Sequence, residues 1–353
     1  MAKINKNKKF LKLLIPVIVG CLSCSIIFTA CDLGLNKTST TVKPEIQKGL
    51  DVEVEIKEGM NLTQIANLLE EKGVIDSALF FKVYAEDKGL ETKLIPGKYN
   101  LKTGSEYEDV LELITAGPEI VTFKLVIPEG FMVKQISKRI IQELPFVDST
   151  DLEEALKAES YGYDFLKDNG VSVTSLEGFL FPKTYEILPQ YSAKNIVEML
   201  LSQYQLETSN LDYKYASDNN LTPYDILKIA SMIEREAYIP EERPLISSVI
   251  HNRLKINMAL GIDATLTYFL DKWDEPLTDS DLKTDTPFNT RLYTGLPPTP
   301  ICNPGLESIK AALNPADTDY FYFVVTDLVS HKHAFSKTLQ EHNENVNSTT
   351  TTE

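Results

Sequence analysis

Val54-Glu55-Ile56-Lys57-Glu58-Gly59-Met60 alternates apolar and polar side chains as a strand does, and it ends at a Glu-Gly turn. Behind it, Leu62, Ile65, Ala66, Leu68 and Leu69 fall at helical spacing. The same pattern returns about 71 residues further on, where Ile127-Pro128-Glu129-Gly130-Phe131 leads into Val133, Gln135-Ile136 and Ile140. Ile56/Ile127, Glu58/Glu129, Gly59/Gly130, Gln64/Gln135 and Ile65/Ile136 are identical pairs. A strand, a turn and a helix therefore occur twice, which predicts two related small α/β units. Glu58 and Glu129 read as helix-entry acids that complement a helix dipole, in preference to functional carboxylates.

Working outward, Phe80-Phe81-Lys82-Val83-Tyr84 reads as a second helix whose aromatics enter a core instead of forming a sugar-stacking surface. Ile95-Pro96-Gly97-Lys98-Tyr99 is a turn into a strand. Tyr107 to Ala116 is a helix with Val110, Leu111, Leu113 and Ile114 inward, and Gly117-Pro118 closes the unit. From about Asp148 the pattern is mostly helical until a run of short motifs begins at Thr222. The last residues, Asn347 to Glu353, read as a disordered tail.

Ahead of the first strand, Lys3, Lys6, Lys8, Lys9 and Lys12 precede an uncharged run from Leu13 to Ala30. About 18 uncharged residues suffice to cross a hydrocarbon core of roughly 30 Å, and the lysines hold that end in the cytoplasm. Residues 1–30 are thus expected to be a membrane anchor or signal segment, with the body outside the cell membrane. The alternative is a lipoprotein acylated at Cys31, since Phe28-Thr29-Ala30-Cys31 looks like a lipobox, although Phe28 is unusual there. Residues 31–48 form a tether.

The chain has 353 residues, 43% of them hydrophobic, which allows two packed domains beyond the anchor. Its formal net charge of -16 argues against nucleic-acid partners, because phosphate repels an acidic surface, and favours a neutral or mixed-charge polymer such as a glycan. Of the cysteines, Cys21, Cys24 and Cys31 lie in or beside the apolar N-terminus and Cys302 is alone in the body, so neither a disulfide framework nor a thiolate metal site is expected. His331-Lys332-His333 lacks evident further ligands, and no metal or cofactor is expected there.

The chemistry concentrates downstream. Thr222-Pro223-Tyr224-Asp225 starts a helix that runs to Ala237, with Ile226, Ile229, Ala230, Ile233 and Ala237 as its buried stripe. Glu234 and Glu236 fall on opposite shoulders of that stripe, roughly 80° to either side. Either carboxyl at a cleft edge would be partly desolvated, which raises its pKa toward that of a general acid. The plainer reading makes both solvated surface acids, paired with Lys228 or Arg235. Beyond them His251-Asn252-Arg253-Leu254, Gly261-Ile262-Asp263-Ala264-Thr265, Asn289-Thr290 and Gly295-Leu296-Pro297-Pro298-Thr299-Pro300 crowd polar and turn residues together, as surface loops that build sites do.

At these residues the sequence resembles the endolytic murein transglycosylases of the MltG (YceG-like) family. The resemblance is carried by Leu176-Glu177-Gly178-Phe179-Leu180-Phe181-Pro182-Lys183-Thr184-Tyr185, Ile229-Ala230-Ser231-Met232-Ile233-Glu234-Arg235-Glu236, Asn252-Arg253-Leu254, Asp263-Ala264-Thr265, Phe288-Asn289-Thr290, Gly295-Leu296-Pro297-Pro298, Asn303-Pro304-Gly305 and Ala311-Ala312-Leu313-Asn314-Pro315-Ala316. Departures are Ala264 for the family's usual Pro, Phe288 for a common Tyr, and Cys302 at a variable position. The resemblance implies an α+β fold, with a small LysM-like α/β unit at 49–118 followed by a mixed, largely helical catalytic domain at 119–346. It implies peptidoglycan glycan strands as substrate, cut between N-acetylmuramic acid and N-acetylglucosamine to leave 1,6-anhydro ends, and peptidoglycan synthases as candidate partners. It makes Glu236 the catalytic acid, with Glu234 as runner-up because helical geometry does not separate the two. Glu234, Asp263, Thr265, Asn289 and Asn303 are the candidate substrate-binding residues, while Asn252 and Arg253 are the candidates for fixing loop architecture. Two rivals stay open: a two-carboxylate hydrolase using Asp263 or Glu234, and a non-catalytic wall-binding module.

Overall fold

The computed structural model describes residues 47–168, 171–327 and 329–350. The expected anchor, the Cys31 acylation site and nearly all of the tether lie outside these residues. No described helix is long and apolar enough to cross a membrane. The chain divides at Pro118/Glu119 into two compact units.

The first unit runs β1 (Asp51–Ile56), α1 (Leu62–Glu71), α2 (Ala78–Asp87), β2 (Gly97–Lys102) and α3 (Tyr107–Ala116). β1 and β2 pair antiparallel, Val54 opposite Tyr99, and their inward side chains meet Ile65, Leu69, Phe81 and Ile114 in one core. α2 divides its two phenylalanines, because successive residues on a helix point about 100° apart. Phe81 is fully buried, whereas Phe80 faces outward with Leu79 and Val83. Leu113 likewise turns outward on α3, against the inward placement expected, because Val110, Leu111 and Ile114 already fill the buried face.

The second unit begins with β3 (Phe123–Val126) and α4 (Val133–Glu143), the echo of β1 and α1. The identical glutamines explain part of that echo. Gln64 and Gln135 sit at the third position of their helices, where each Oε1 accepts the N-cap backbone N–H at 2.9 Å. Gly59 and Gly130 take φ of 83° and 75°, which only glycine adopts without strain.

After α5 (Ser149–Ala155) come short β4 (Lys167–Asp168) and β5 (Val171–Ser172), then β6 (Thr184–Ile187). These strands interrupt the stretch expected to be mostly helical. Thr184-Tyr185-Glu186-Ile187 alternates exposed and buried, and it supplies the antiparallel partner that β3 needs, Leu125 opposite Tyr185. Then follow α6 (Ala193–Thr208), α7 (Lys214–Asp218), α8 (Pro223–Glu236), α9 (Arg243–Lys255), α10 (Asp263–Leu270) and α11 (Leu306–Leu313). The unit closes with β7 (Tyr322–Asp327), β8 (Lys332–Ser336) and α12 (Leu339–Thr350). All sheets among the described residues are two-stranded and antiparallel, so the architecture is mixed α and β with helices dominant.

α8 is the axis of this unit, against which α9, α10 and α11 all pack. The single apolar stripe read from the sequence is too narrow. Ile226 through Ile233 are all buried, because neighbours cover the helix on nearly every side. Even Lys228 is buried, its ammonium 3.4 Å from Asp225 and 4.5 Å from the Tyr224 ring centroid. α12 extends through Asn347–Thr350, part of the expected disordered tail. Thr338 and Glu341 cap its start with reciprocal hydrogen bonds of 3.2 and 3.1 Å.

Candidate active site

Glu234 and Glu236 both emerge in the last turn of α8, half-buried, but their surroundings differ completely. Glu234 Oε2 accepts the Gly305 N–H at 3.1 Å and the Ser308 hydroxyl at 2.6 Å. It thereby caps the first turn of α11, whose positive dipole end favours a carboxylate. Arg235, which the sequence offered as a partner for these acids, instead lays its guanidinium 3.9 Å from the Trp273 ring centroid. The other offered partner, Lys228, is held by Asp225.

Glu236 has no hydrogen-bond partner among the described residues. Desolvation, and after it the negative charge of Asp263, push its carboxyl up to about 7, with Arg235 pulling the other way. Spacing leaves the two glutamates equivalent, whereas the fold makes one a helix cap and leaves the other a free carboxyl matched to neutral pH.

Asp263 opens α10 and is half-exposed, gripped at both oxygens by Arg291 at 2.5 and 2.8 Å. The remaining candidates do not face solvent. Thr265 is fully buried, donating to Ile262 O at 2.8 Å and lying 3.2 Å from the Thr290 hydroxyl. Asn289 is also fully buried, and its amide donates to Leu282 O and Thr284 O at 3.0 and 2.9 Å while its carbonyl accepts the Arg291 N–H. Asn303 is buried too. Its Oδ1 accepts the Leu180 N–H at 2.8 Å, and its Nδ2 donates to Phe131 O at 2.8 Å and to Glu177 Oε1 at 3.1 Å. All three direct their side-chain hydrogen bonds inside the protein, where they brace loops. Asn252 and Arg253 also brace: Asn252 Nδ2 donates to Thr318 O and Tyr320 O, and Arg253 donates to Phe321 O and to the carbonyls of Ala259 and Leu260.

Away from α8, His333 binds the Glu242 carboxylate with both its backbone N–H and Nδ1, at 3.1 and 2.6 Å. His331 stacks on Tyr238. No cluster of three His, Cys, Asp or Glu groups suited to a metal occurs among the described residues. The Cys302 thiol is buried against Ser231 O at 3.4 Å, and burial drives its pKa well up.

Three residues near the site were missed by sequence reasoning. Arg291, Trp273 and Glu177 hold Asp263, Arg235 and Asn303 respectively. Only Glu177 carried a signal, as a lone carboxyl inside the otherwise apolar run Leu176 to Phe181.

The YceG-like family model matches residues 54–348, most of the chain. The protein belongs to the YceG-like family. It is 32% identical over 306 residues to the endolytic murein transglycosylase of Bacillus subtilis strain 168, covering 83% of each chain. To the endolytic murein transglycosylase of Streptococcus pneumoniae strain R6 it is 31% identical over 326 residues, spanning 84% of this chain and 58% of that longer one. A solved YceG-like protein from Listeria monocytogenes superposes with a TM-score of 0.56 at 31% identity, covering 83% of this chain and 98% of the other. The matched region contains Glu234, Glu236, Asp263 and every brace described above.

The influence of Asp263 on Glu236 has a measurable consequence. Asp263→Asn removes a negative neighbour, so the Glu236 carboxyl should ionise more easily and its titration midpoint should move to lower pH. Because Asp263 is half-exposed, the displacement should be modest, about half a pH unit. An unmoved midpoint in an NMR titration of the variant's Glu236 carboxyl would show that Asp263 does not bear on it.

Proposed function

We propose that this protein is a peptidoglycan lytic transglycosylase in which Glu236 is the general acid and then the general base. One observation carries the reading: within the Ile233-Glu234-Arg235-Glu236 turn, Glu236 alone is an uncommitted, desolvated carboxyl with a pKa near 7. The names of its relatives in Bacillus and Streptococcus supply the reaction class.

Neutral Glu236 would donate its proton to the glycosidic oxygen as the bond between that oxygen and the muramic acid anomeric carbon breaks. The carboxylate so formed would take the proton of the C6 hydroxyl as that oxygen bonds to the same carbon. The proton lost in the first step is regained in the second, no water is consumed, and the product carries a 1,6-anhydro end. An internal nucleophile is already close, so proximity replaces the second carboxylate of an ordinary glycosidase. A pKa near the working pH serves both halves, since the group must give and then accept a proton. Asp263, whose charge reaches Glu236 and is partly offset by Arg291, would favour positive charge developing on the sugar.

The 49–118 unit is assigned a LysM-like glycan-binding role, and residues 1–30 are assigned to holding the enzyme on the outer face of the cell membrane, near peptidoglycan synthases. Mass spectrometry of purified glycan strands digested with the protein tests the reaction. Anhydro-ended fragments are expected. Reducing ends would instead identify a hydrolase with Asp263 as its second carboxylate, and binding without cleavage would identify a wall-binding module.

A further inference from the structure

We infer that Glu177 is a positioning residue for this reaction, a buried hub that fixes the segments bordering the last turn of α8. Its carboxyl is 3% exposed and lies 40 or more positions in sequence from each of its partners. Oε1 accepts the Val133 N–H at 3.1 Å and the Asn303 Nδ2 at 3.1 Å. Oε2 receives the Tyr268 hydroxyl at 3.2 Å and shares the Val133 N–H at 3.2 Å.

Each partner leads to the end of α8. Tyr268 belongs to α10, whose first residue is Asp263, the charge that bears on Glu236. Asn303 stands two residues before Gly305, whose N–H is bound by Glu234. Asn303 also exchanges backbone hydrogen bonds with the 130–131 turn, Gly130 N–H to Asn303 O at 2.9 Å and Asn303 N–H to Phe131 O at 2.8 Å. Gly130 in turn lies against Arg235 and Glu234. Burying a carboxyl among apolar neighbours is expensive unless its hydrogen bonds are made. Core packing alone would be met by an apolar residue here, as it is at Leu176 and Phe179 on either side. What a carboxyl adds is a single acceptor site that three separate segments share. Burial pushes Glu177 up to about 8, while the Val133 and Tyr268 hydrogen bonds, which are made to the carboxylate, pull it down.

The inference rests on the reading of Glu236 as the acid, and two variants of the full-length chain test it. Glu177→Ala removes the hub. Tyr268→Phe removes only the hydroxyl that ties α10 to it. With the hub cut, Asp263 is held less closely to Glu236, so the limb of activity lost with rising pH should move to lower pH. At the pH optimum kcat should fall about tenfold for Glu177→Ala and about threefold for Tyr268→Phe, with KM within twofold of wild type. A role confined to stability would lower the amount of folded protein without moving the limb. If Glu177→Ala does not fold, Tyr268→Phe decides alone. A folded Tyr268→Phe protein with wild-type kcat and an unmoved limb overturns the inference. Should wild type itself cleave nothing, the functional reading has failed, and the hub is then judged by NMR titration of the Glu236 carboxyl. A lower midpoint in Tyr268→Phe than in wild type supports the hub, and equal midpoints overturn it.

Discussion

Glu236→Gln should abolish glycan cleavage, with a loss of at least about 10³-fold, while leaving the protein as stable as wild type to within roughly 1 kcal/mol. A carboxyl that makes no hydrogen bond to any described residue has no bond to lose, and an amide removes only its ability to give and take a proton. Glu234→Gln should behave differently. Its remaining oxygen can still accept from Gly305 and Ser308, so activity should persist at a reduced level while the cap on α11 weakens by about 1 kcal/mol. Product analysis beside thermal denaturation of both variants separates the two glutamates. Anhydro products from folded Glu236→Gln would move the acid elsewhere, with Glu234 the first candidate.

Asn303→Ala should be the most destabilising of the polar changes around the site, by about 3 kcal/mol. The substitution strips the buried Leu180 N–H of its acceptor, removes one donor from Glu177, and leaves a small void where the amide was. For a unit of this size that corresponds to a drop in melting temperature of roughly 6–12 °C. The Phe131 carbonyl suffers less, since the Asn303 backbone N–H still reaches it. Thermal denaturation together with KM decides the point. A stable variant with a raised KM would instead give Asn303 a role in binding substrate.

The candidate site shows how far residue types and spacing reach. A cluster of Asn, Thr and Arg between 252 and 303 points, by residue type alone, to loops that build a site. Residue type could not tell a side chain that holds a loop from one that holds a substrate, because Asn289, Thr265 and Asn303 have the same chemistry in either role. The difference lies in whether their donors and acceptors meet carbonyls and amides of segments far along the chain. Asn303 and Leu180 are a case in point, joined across 123 positions. Glu177 was visible only as an oddity in an apolar run, since each of its partners comes from a different element.

By itself the sequence determined what local physics controls. The repeated strand, Glu-Gly turn and helix, with Gln64 and Gln135 at the capping positions, follows from alternation, helical spacing and glycine's freedom at positive φ. The helix starting at Thr222 follows from its cap and Pro223 in the same way. What separates Glu234 from Glu236 was decided by tertiary structure. Glu234 and Glu236 lie two residues apart in the last turn of one helix, each on a shoulder of its buried stripe, and spacing alone does not rank them. The difference arises because α11 brings Gly305 and Ser308 to one of them and α10 brings Asp263 to the other. A carboxyl's proton affinity is set by the water it loses and the charges it meets, and both are contributed by segments distant in sequence.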